Sequence, residues 1–300
     1  MSAEPKVFLN GEFVALSQAT VSVLDRGFLF ADGVYEVIPV YAGKPFRLQQ
    51  HLDRLNASLK AIRMAPVMSD TQWADVLTTL LQSHTQSDQS VYIQVTRGAG
   101  SNRDHQLPEH YQATTFAMCQ SIVADSLNLI AKGINAITLD DIRWDWCHIK
   151  SIALLGNILL KQQATDQQCT EAILLRDGFA TEGSASNLFI VKNGQLITPP
   201  KSHYLLPGIT RDLVLELATQ EGIPCIEREI SEQQLLTADE IWLTSSTKEI
   251  MPVIELNRRP VSNGQPGALW RQVSHSYSQF KDQLRRQKWP KKTTTNNTMP

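Results

Sequence analysis

The spacing of apolar residues in the first forty positions is that of strands. Lys6–Leu16 carries apolar residues on both sides of Asn10-Gly11, the strongest short signal for a hairpin turn. Val34–Tyr41 is rich in β-branched and aromatic residues, Ala42-Gly43 turns it, and Pro45–Leu48 returns. The period then lengthens. Leu48, Leu52, Leu55, Leu59 and Ile62 recur at helical spacing, and a second helix is expected over about Asp70–His84. Strands at Val91–Thr96 and Thr114–Ser121 enclose a polar loop, Gly98–His110. Strands with two helices over roughly 120 residues predict an α+β domain.

The pattern resets around Gln120–Leu127, so a first domain is expected over 1–121 and a second over 122–287. The second opens with a strand near Ile134–Leu139 and an apolar helix over Ser151–Gln163. Hairpins turn at Asp177-Gly178 and Asn193-Gly194. A helix follows over about Thr210–Glu221, and Ser231 with Gln234 forms a capping box for a shorter one. Strands at Glu240–Thr244 and Ile250–Glu255 precede a last helix between Ala268 and Arg286. Residues 288–300 are polar and aperiodic, the pattern of a disordered tail.

Composition narrows the function classes. The 300 residues balance 28 Lys+Arg against 30 Asp+Glu, which removes the electrostatic case for a nucleic-acid partner. With 42% hydrophobic and 19% charged residues, the chain reads as globular. No apolar run is long enough to span a membrane, and the opening residues MSAEPKVF have no signal-peptide core. Cys119, Cys147, Cys169 and Cys225 form no C-x-x-C, and the histidines form no helical pair. Buried reduced thiols in a cytoplasmic protein without a bound metal are expected.

Several residues stand out as chemistry. Lys150 opens the apolar run HIKSIALLGNILL. At a helix start the macrodipole opposes its charge, and desolvation would make the amine nucleophilic, as a Schiff-base lysine requires. A snorkelling surface lysine fits as well. LPGITR, Leu206–Arg211, leaves the amides of Ile209 and Thr210 at a helix N-terminus, either an anion site or an ordinary end capped by Thr210. The hydroxyls of LTSSTKE follow a strand and serve either that anion or a turn. Arg54 lies off the leucine stripe, as a solvated charge or a phosphate fork. Glu182, in FATEGSASNLFIV, could keep a heteroaromatic nitrogen protonated. Arg103 and His105 stand two apart, so in an extended loop both could meet one carboxylate.

The order of these segments resembles the class IV pyridoxal-phosphate aminotransferases. It is carried by LDRGFLFADGVYEVIPVYAGKPFRLQQHLDRLNASL, VYIQVTRGAGSNRDHQLP, HIKSIALLGNILLKQQA, ATEGSASNLFIV, LPGITR and LTSSTKEIMPVIEL, from about Val7 to Pro252. The R-x-H of Arg103 and His105, with the tyrosine of GVYE, is similar to the members acting on D-amino acids. Branched-chain aminotransferases and aminodeoxychorismate lyases share the lysine and cofactor motifs but not that pair. A catalytically silent pyridoxal-phosphate binding protein is disfavoured by the joint presence of Lys150 and Glu182.

The resemblance implies the two-domain α+β fold type IV, with pyridoxal 5'-phosphate at the domain interface. Lys150 would hold the cofactor as a Schiff base and move the α-proton. Glu182 would face the pyridine nitrogen, and Leu206 would pack on the ring. Arg54, Ile209, Thr210, Ser246 and Thr247 would bind the phosphate. Tyr35, Arg103 and His105 would trap the substrate α-carboxylate, the loop coming from the neighbouring subunit of a homodimer. The implied reaction is ping-pong amino transfer from a D-amino acid such as D-alanine to a 2-oxo acid such as 2-oxoglutarate. One departure stands out: the family's T-E-G-S-S-S-N reads TEGSASN, so Ala185 removes a hydroxyl from the pocket edge.

Overall fold

The computed structural model describes residues 4–83, 87–122 and 131–287. They divide into two compact units. One takes in the chain up to Ser121 and again from Asp282, and the other runs from Ile122 to Lys281. The last turn and a half of the final helix thus groups with the first unit, not with the segment that precedes it. The polar end, 288–300, lies outside the described residues, as does most of the segment where the pattern resets.

The first unit is a six-stranded antiparallel sheet. β1 (Lys6–Leu9) and β2 (Glu12–Ala15) form the expected hairpin, with Asn10 and Gly11 both at positive φ, the mirror-image turn that matches strand twist. A short helix, α1 (Arg26–Phe30), went unforeseen. It begins at Asp25, whose carboxylate accepts from the Gly27 amide at 2.7 Å. β3 (Gly33–Tyr41) turns at Ala42-Gly43, but its return strand β4 is only Lys44–Pro45, because α2 (Leu48–Ala61) starts at once. α3 (Asp70–Gln82) is held by a Ser69–Gln72 capping box. β5 (Asp88–Thr96) and β6 (Thr114–Ser121) complete the order β2-β1-β6-β5-β3-β4. Val34, Glu36, Ile38 and Val40 alternate along β3 with no exposure at all, so a glutamate occupies a core position facing α2.

The second unit is built on a mixed sheet. β7 (Ile134–Asp140) leads through α4 (Leu155–Asp166) to the parallel strand β8 (Glu171–Arg176). The expected helix over Ser151–Gln163 therefore begins four residues late, and Lys150 lies in an irregular segment before it. β9 (Phe179–Gly183) forms a hairpin with β8, and β10 (Asn187–Lys192) forms one with β11 (Gln195–Thr198). α5 (Ile209–Gln220) then leads to β12 (Cys225–Glu227), β13 (Ile230–Ser231) and the box-capped α6 (Glu232–Leu236). β14 (Glu240–Ser245) and β15 (Glu249–Leu256) pair as read from the sequence. β16 (Arg259–Pro260) adds to β15, and α7 (Ala268–Arg286) ends the described chain. The order is β12-β11-β10-β14-β15-β7-β8-β9-β13. Leu188, Ile190, Ile241, Leu243, Met251 and Val253 fill the core on one face.

Cys147 and Cys169 are buried, whereas Cys119 and Cys225 are only half-buried; all four are free. Among the described residues no helix is long and apolar enough to cross a membrane.

Candidate active site

The second unit holds a buried carboxylate. Glu182, near the end of β9, is 4% exposed. Arg143 Nη1 donates to its Oε1 at 2.6 Å, and Asn187 Nδ2 and the Leu206 amide donate to Oε2, each at 3.1 Å. Asn187 Nδ2 also reaches the Leu206 carbonyl at 2.8 Å, tying β10 to the segment that enters α5. Arg143 is shared, because its Nε and Nη2 fork onto Asp141, each at 2.9 Å. Burial pushes the Glu182 carboxyl up to about 7, against the pull of Arg143. Burial acts on Asp141 too, but Arg143 and then Arg176 hold it below the usual carboxylate range.

The turn after Glu182 is braced from below. Glu171, buried at the start of β8, accepts from the Ser184 hydroxyl and, at 3.4 Å, from that of Ser186; Asn157 of α4 donates to the Ser184 carbonyl at 2.7 Å. Ala185 is left at the exposed tip of this turn. Lys150 is half-buried between Ile149 and Ser151, both buried. The Ser151 amide returns to the Ile149 carbonyl at 2.8 Å, which closes a three-residue turn centred on the lysine. The helix-macrodipole argument for this amine therefore does not apply.

α5 starts at Gly208 as N-cap, not at Thr210, and that cap makes no side-chain hydrogen bond. A Cβ on Gly208 would lie 1.8 Å from Asn187 Oδ1, so glycine is required for the helix to approach the strand. Ile209 and Thr210 are buried in the first turn, where amides and dipole together suit an anion. Ser246 and Thr247 lie, half-buried, in the turn between β14 and β15.

The remaining predicted residues lie in the first unit. Arg54 is not a solvated charge. Buried on α2, it spends one edge of its guanidinium on Glu36, Nε to Oε1 at 2.7 Å and Nη2 to Oε2 at 2.9 Å. His51 Nδ1 lies 2.7 Å from the same Oε2. Burial opposes the ionised form of Glu36, but Arg54 and His51 outweigh it and hold the carboxyl far below its usual range. Tyr35, next along β3, faces Tyr92 with ring centroids 5.7 Å apart.

Arg103 and His105 are exposed and meet one aromatic ring. Arg103 Cζ lies 5.0 Å from the Phe30 centroid, and the His105 ring lies 5.1 Å from it. Their loop is fixed at its base. The Asp25 carboxylate accepts from Thr96 and Thr114, at its two ends, and Arg26 Nη1 donates to the Asp104 carbonyl at 2.6 Å.

A family model for class IV amino-transferases matches residues 33–256. The chain belongs to the class IV aminotransferases. It is 38% identical to a D-alanine aminotransferase of Bacillus licheniformis, over 89% of this chain and 94% of that protein. It is 39% identical to one of Listeria innocua, over 91% and 94%. Among solved structures it is similar to the branched-chain aminotransferase of Thermoproteus uzoniensis with norvaline, at 26% identity and TM-score 0.84, covering 93% and 95% of the chains. The T.th. branched-chain amino acid aminotransferase complexed with N-(5'-phosphopyridoxyl)-L-glutamate matches at 25% identity and TM-score 0.86, covering 95% and 97%. The α+β architecture is that of fold type IV aminotransferases.

The residues paired with Glu182 and with Arg54, each within its own unit, are not among those expected from the sequence. Arg143 and Asp141 precede the lysine segment, and Glu36 faces Arg54. Each left a signal. Glu36 interrupts the apolar face of a strand, and Arg143 is the one cation in DDIRWDWC.

Proposed function

We propose that the chain transfers the amino group of a D-amino acid, such as D-alanine, to a 2-oxo acid, such as 2-oxoglutarate, with pyridoxal 5'-phosphate as cofactor. The observation that carries the cofactor is Glu182. A buried carboxylate whose arginine is shared with a second carboxylate has room for another cation, and a protonated pyridine nitrogen is one. The uncapped first turn of α5 fits a phosphate. The bound cofactor supplies an electron sink for the pair of electrons left when the α-proton departs.

The residues around it have distinct tasks. The Lys150 amine anchors the cofactor covalently and then carries the α-proton. Glu182 keeps the ring nitrogen protonated, with Arg143 and Asn187 fixing its carboxylate. The Ile209 and Thr210 amides, Ser246 and Thr247 hold the phosphate, and Leu206 packs on the ring. Arg54 is assigned to the phosphate on the resemblance. Tyr35, Arg103 and His105 bind the substrate carboxylate.

The D-alanine aminotransferases at 38–39% identity support the D-preference. The branched-chain enzymes at 25–26% identity keep the L-specific reading as the alternative. A homodimer is supported by exposed apolar side chains, Phe28 at 71%, Leu155 at 69% and Ile158 at 60%, and by the exposure of Arg103 and His105. Four free thiols support a cytoplasmic location.

The deciding experiment offers D-alanine, D-glutamate, D-aspartate, L-alanine and L-leucine as donors with pyruvate or 2-oxoglutarate as acceptor. Turnover of the D-donors is expected to exceed that of both L-donors and to vanish in Lys150→Ala. Faster use of the L-donors contradicts the D-reading. Mixing Lys150→Ala with Arg103→Ala subunits should restore part of the activity. No recovery despite subunit exchange places both residues in the same subunit's site.

A further inference from the structure

Thr244 is the penultimate residue of β14, only 1% exposed, and its Oγ1 makes no hydrogen bond among the described residues. Buried hydroxyls nearly always have partners, because an unmade bond leaves the full desolvation cost standing. Such an orphan points to a ligand when it faces a site.

The register says what it faces. Thr244 stands directly opposite Asn187 of β10. Directly opposed residues of an antiparallel ladder send their side chains to the same face, with Cβ atoms about 4.5–5.5 Å apart. The neighbours Leu188 and Leu243 belong to the apolar core on the other face, while the paired Phe189 and Trp242 continue the Thr244 face. Asn187 identifies what lies there: its Nδ2 reaches Glu182 and its Oδ1 lies where a Cβ of Gly208 would sit. Gly208 is the N-cap of α5, a twelve-residue helix. The orphan hydroxyl is thus one cross-strand step from the asparagine that packs against the N-cap of that helix, and the turn that holds Ser246 follows two positions on.

We propose that the Thr244 hydroxyl is a further donor to the phosphate held at the N-terminus of α5. The inference rests on the reading of the chain as a pyridoxal-phosphate enzyme. A hydroxyl suits the position. It can rotate its proton toward an anion, it adds no charge to a site where the helix already supplies a positive field, and its β-branched body fits the strand.

Thr244→Val keeps the shape and removes the hydroxyl. The apo-protein of this variant should melt at the same or a higher temperature, since an unpartnered buried hydroxyl has gone. Its affinity for pyridoxal 5'-phosphate, followed by absorbance titration, should fall about ten- to hundredfold, the worth of a hydrogen bond to a charged group. Inorganic phosphate, read by its thermal stabilisation of the apo-protein, should weaken in parallel. Pyridoxal, which lacks the phosphate, should bind as to the parent, and Thr244→Ser should restore the loss. Parent-like binding of both phosphate ligands by Thr244→Val overturns the proposal. An equal loss for pyridoxal and pyridoxal 5'-phosphate does so too, since it marks general damage to the pocket. If the parent protein binds neither phosphate ligand, the enzyme reading itself fails and Thr244 with it.

Discussion

Two buried glutamates, one in each unit, are each gripped by an arginine, yet they behave as opposite acids. Glu36 is held by Arg54 and His51 together, so positive charge outweighs the cost of burial and the carboxyl stays ionised. Glu182 shares Arg143 with Asp141, whose own charge opposes its ionisation, and burial wins, pushing it up to about 7. Contact with an arginine therefore does not decide the state of a buried acid; the local balance of charges does. In the first arrangement the carboxylate's charge is answered, which suits a structural role. The second is short of one cation, which is what a carboxylate facing a pyridine nitrogen needs.

The two also pull stability in opposite directions with pH. Glu36 has its folded pKa depressed, so its contribution is present above the ordinary carboxylate range and is lost only as pH falls through the depressed value. Glu182 has its folded pKa raised, so the protein is favoured where this group keeps its proton. That advantage is full below the unfolded value of 4.5 and is lost as pH rises through about 7.

The largest expected effect separates the sites by stability. Glu36→Gln leaves Arg54 and His51 buried around a neutral group and should cost about 3–5 kcal/mol of unfolding free energy in denaturant titration. Arg54→Ala belongs to the same pair and should unfold the protein to a similar degree, so it does not isolate phosphate binding. Glu182→Gln should cost less, because Arg143 keeps its fork on Asp141, while turnover collapses. Equal destabilisation by Glu36→Gln and Glu182→Gln breaks the comparison.

A smaller effect sharpens it. Asp141→Asn removes the competitor for Arg143 and a negative neighbour of Glu182 together. The midpoint of Glu182 should move down from about 7, and the pH window in which the apo-protein loses stability should move down with it. An unmoved or raised midpoint means that Asp141 does not set the acidity of Glu182.

Most strands and helices were legible because local chemistry fixes them: paired positive-φ turns at Asn10-Gly11, Asp177-Gly178 and Asn193-Gly194, the Ser231–Gln234 box, the leucine spacing of α2. Where the structure departs from the sequence pattern, tertiary contacts decide. The apolar run after Lys150 looks helical from Ser151, but backbone turns at Ser151 and Leu154 hold it irregular until Leu155. The leucine stripe leaves Arg54 open between a solvated charge and a phosphate fork, because it cannot reveal that a core-facing glutamate stands opposite it. In the site, Glu182 and LPGITR were legible as segments. Arg143 and Asp141 were not, since their meaning comes from Arg143 being brought to Glu182 across 39 positions of sequence while it forks onto Asp141. Nothing in the structure explains the exposed Ala185.

The most direct test is the infrared titration of the apo-protein, with Glu182→Gln as the reference that identifies the band. A protonated-carboxyl stretch belonging to Glu182 should titrate with a midpoint near 7, while Glu36 contributes none in that range. Adding pyridoxal 5'-phosphate at neutral pH should abolish the Glu182 band, as the ring nitrogen supplies the missing cation. A Glu182 already ionised in the apo-protein well below neutral pH, or one that keeps its proton when the cofactor binds, contradicts the account.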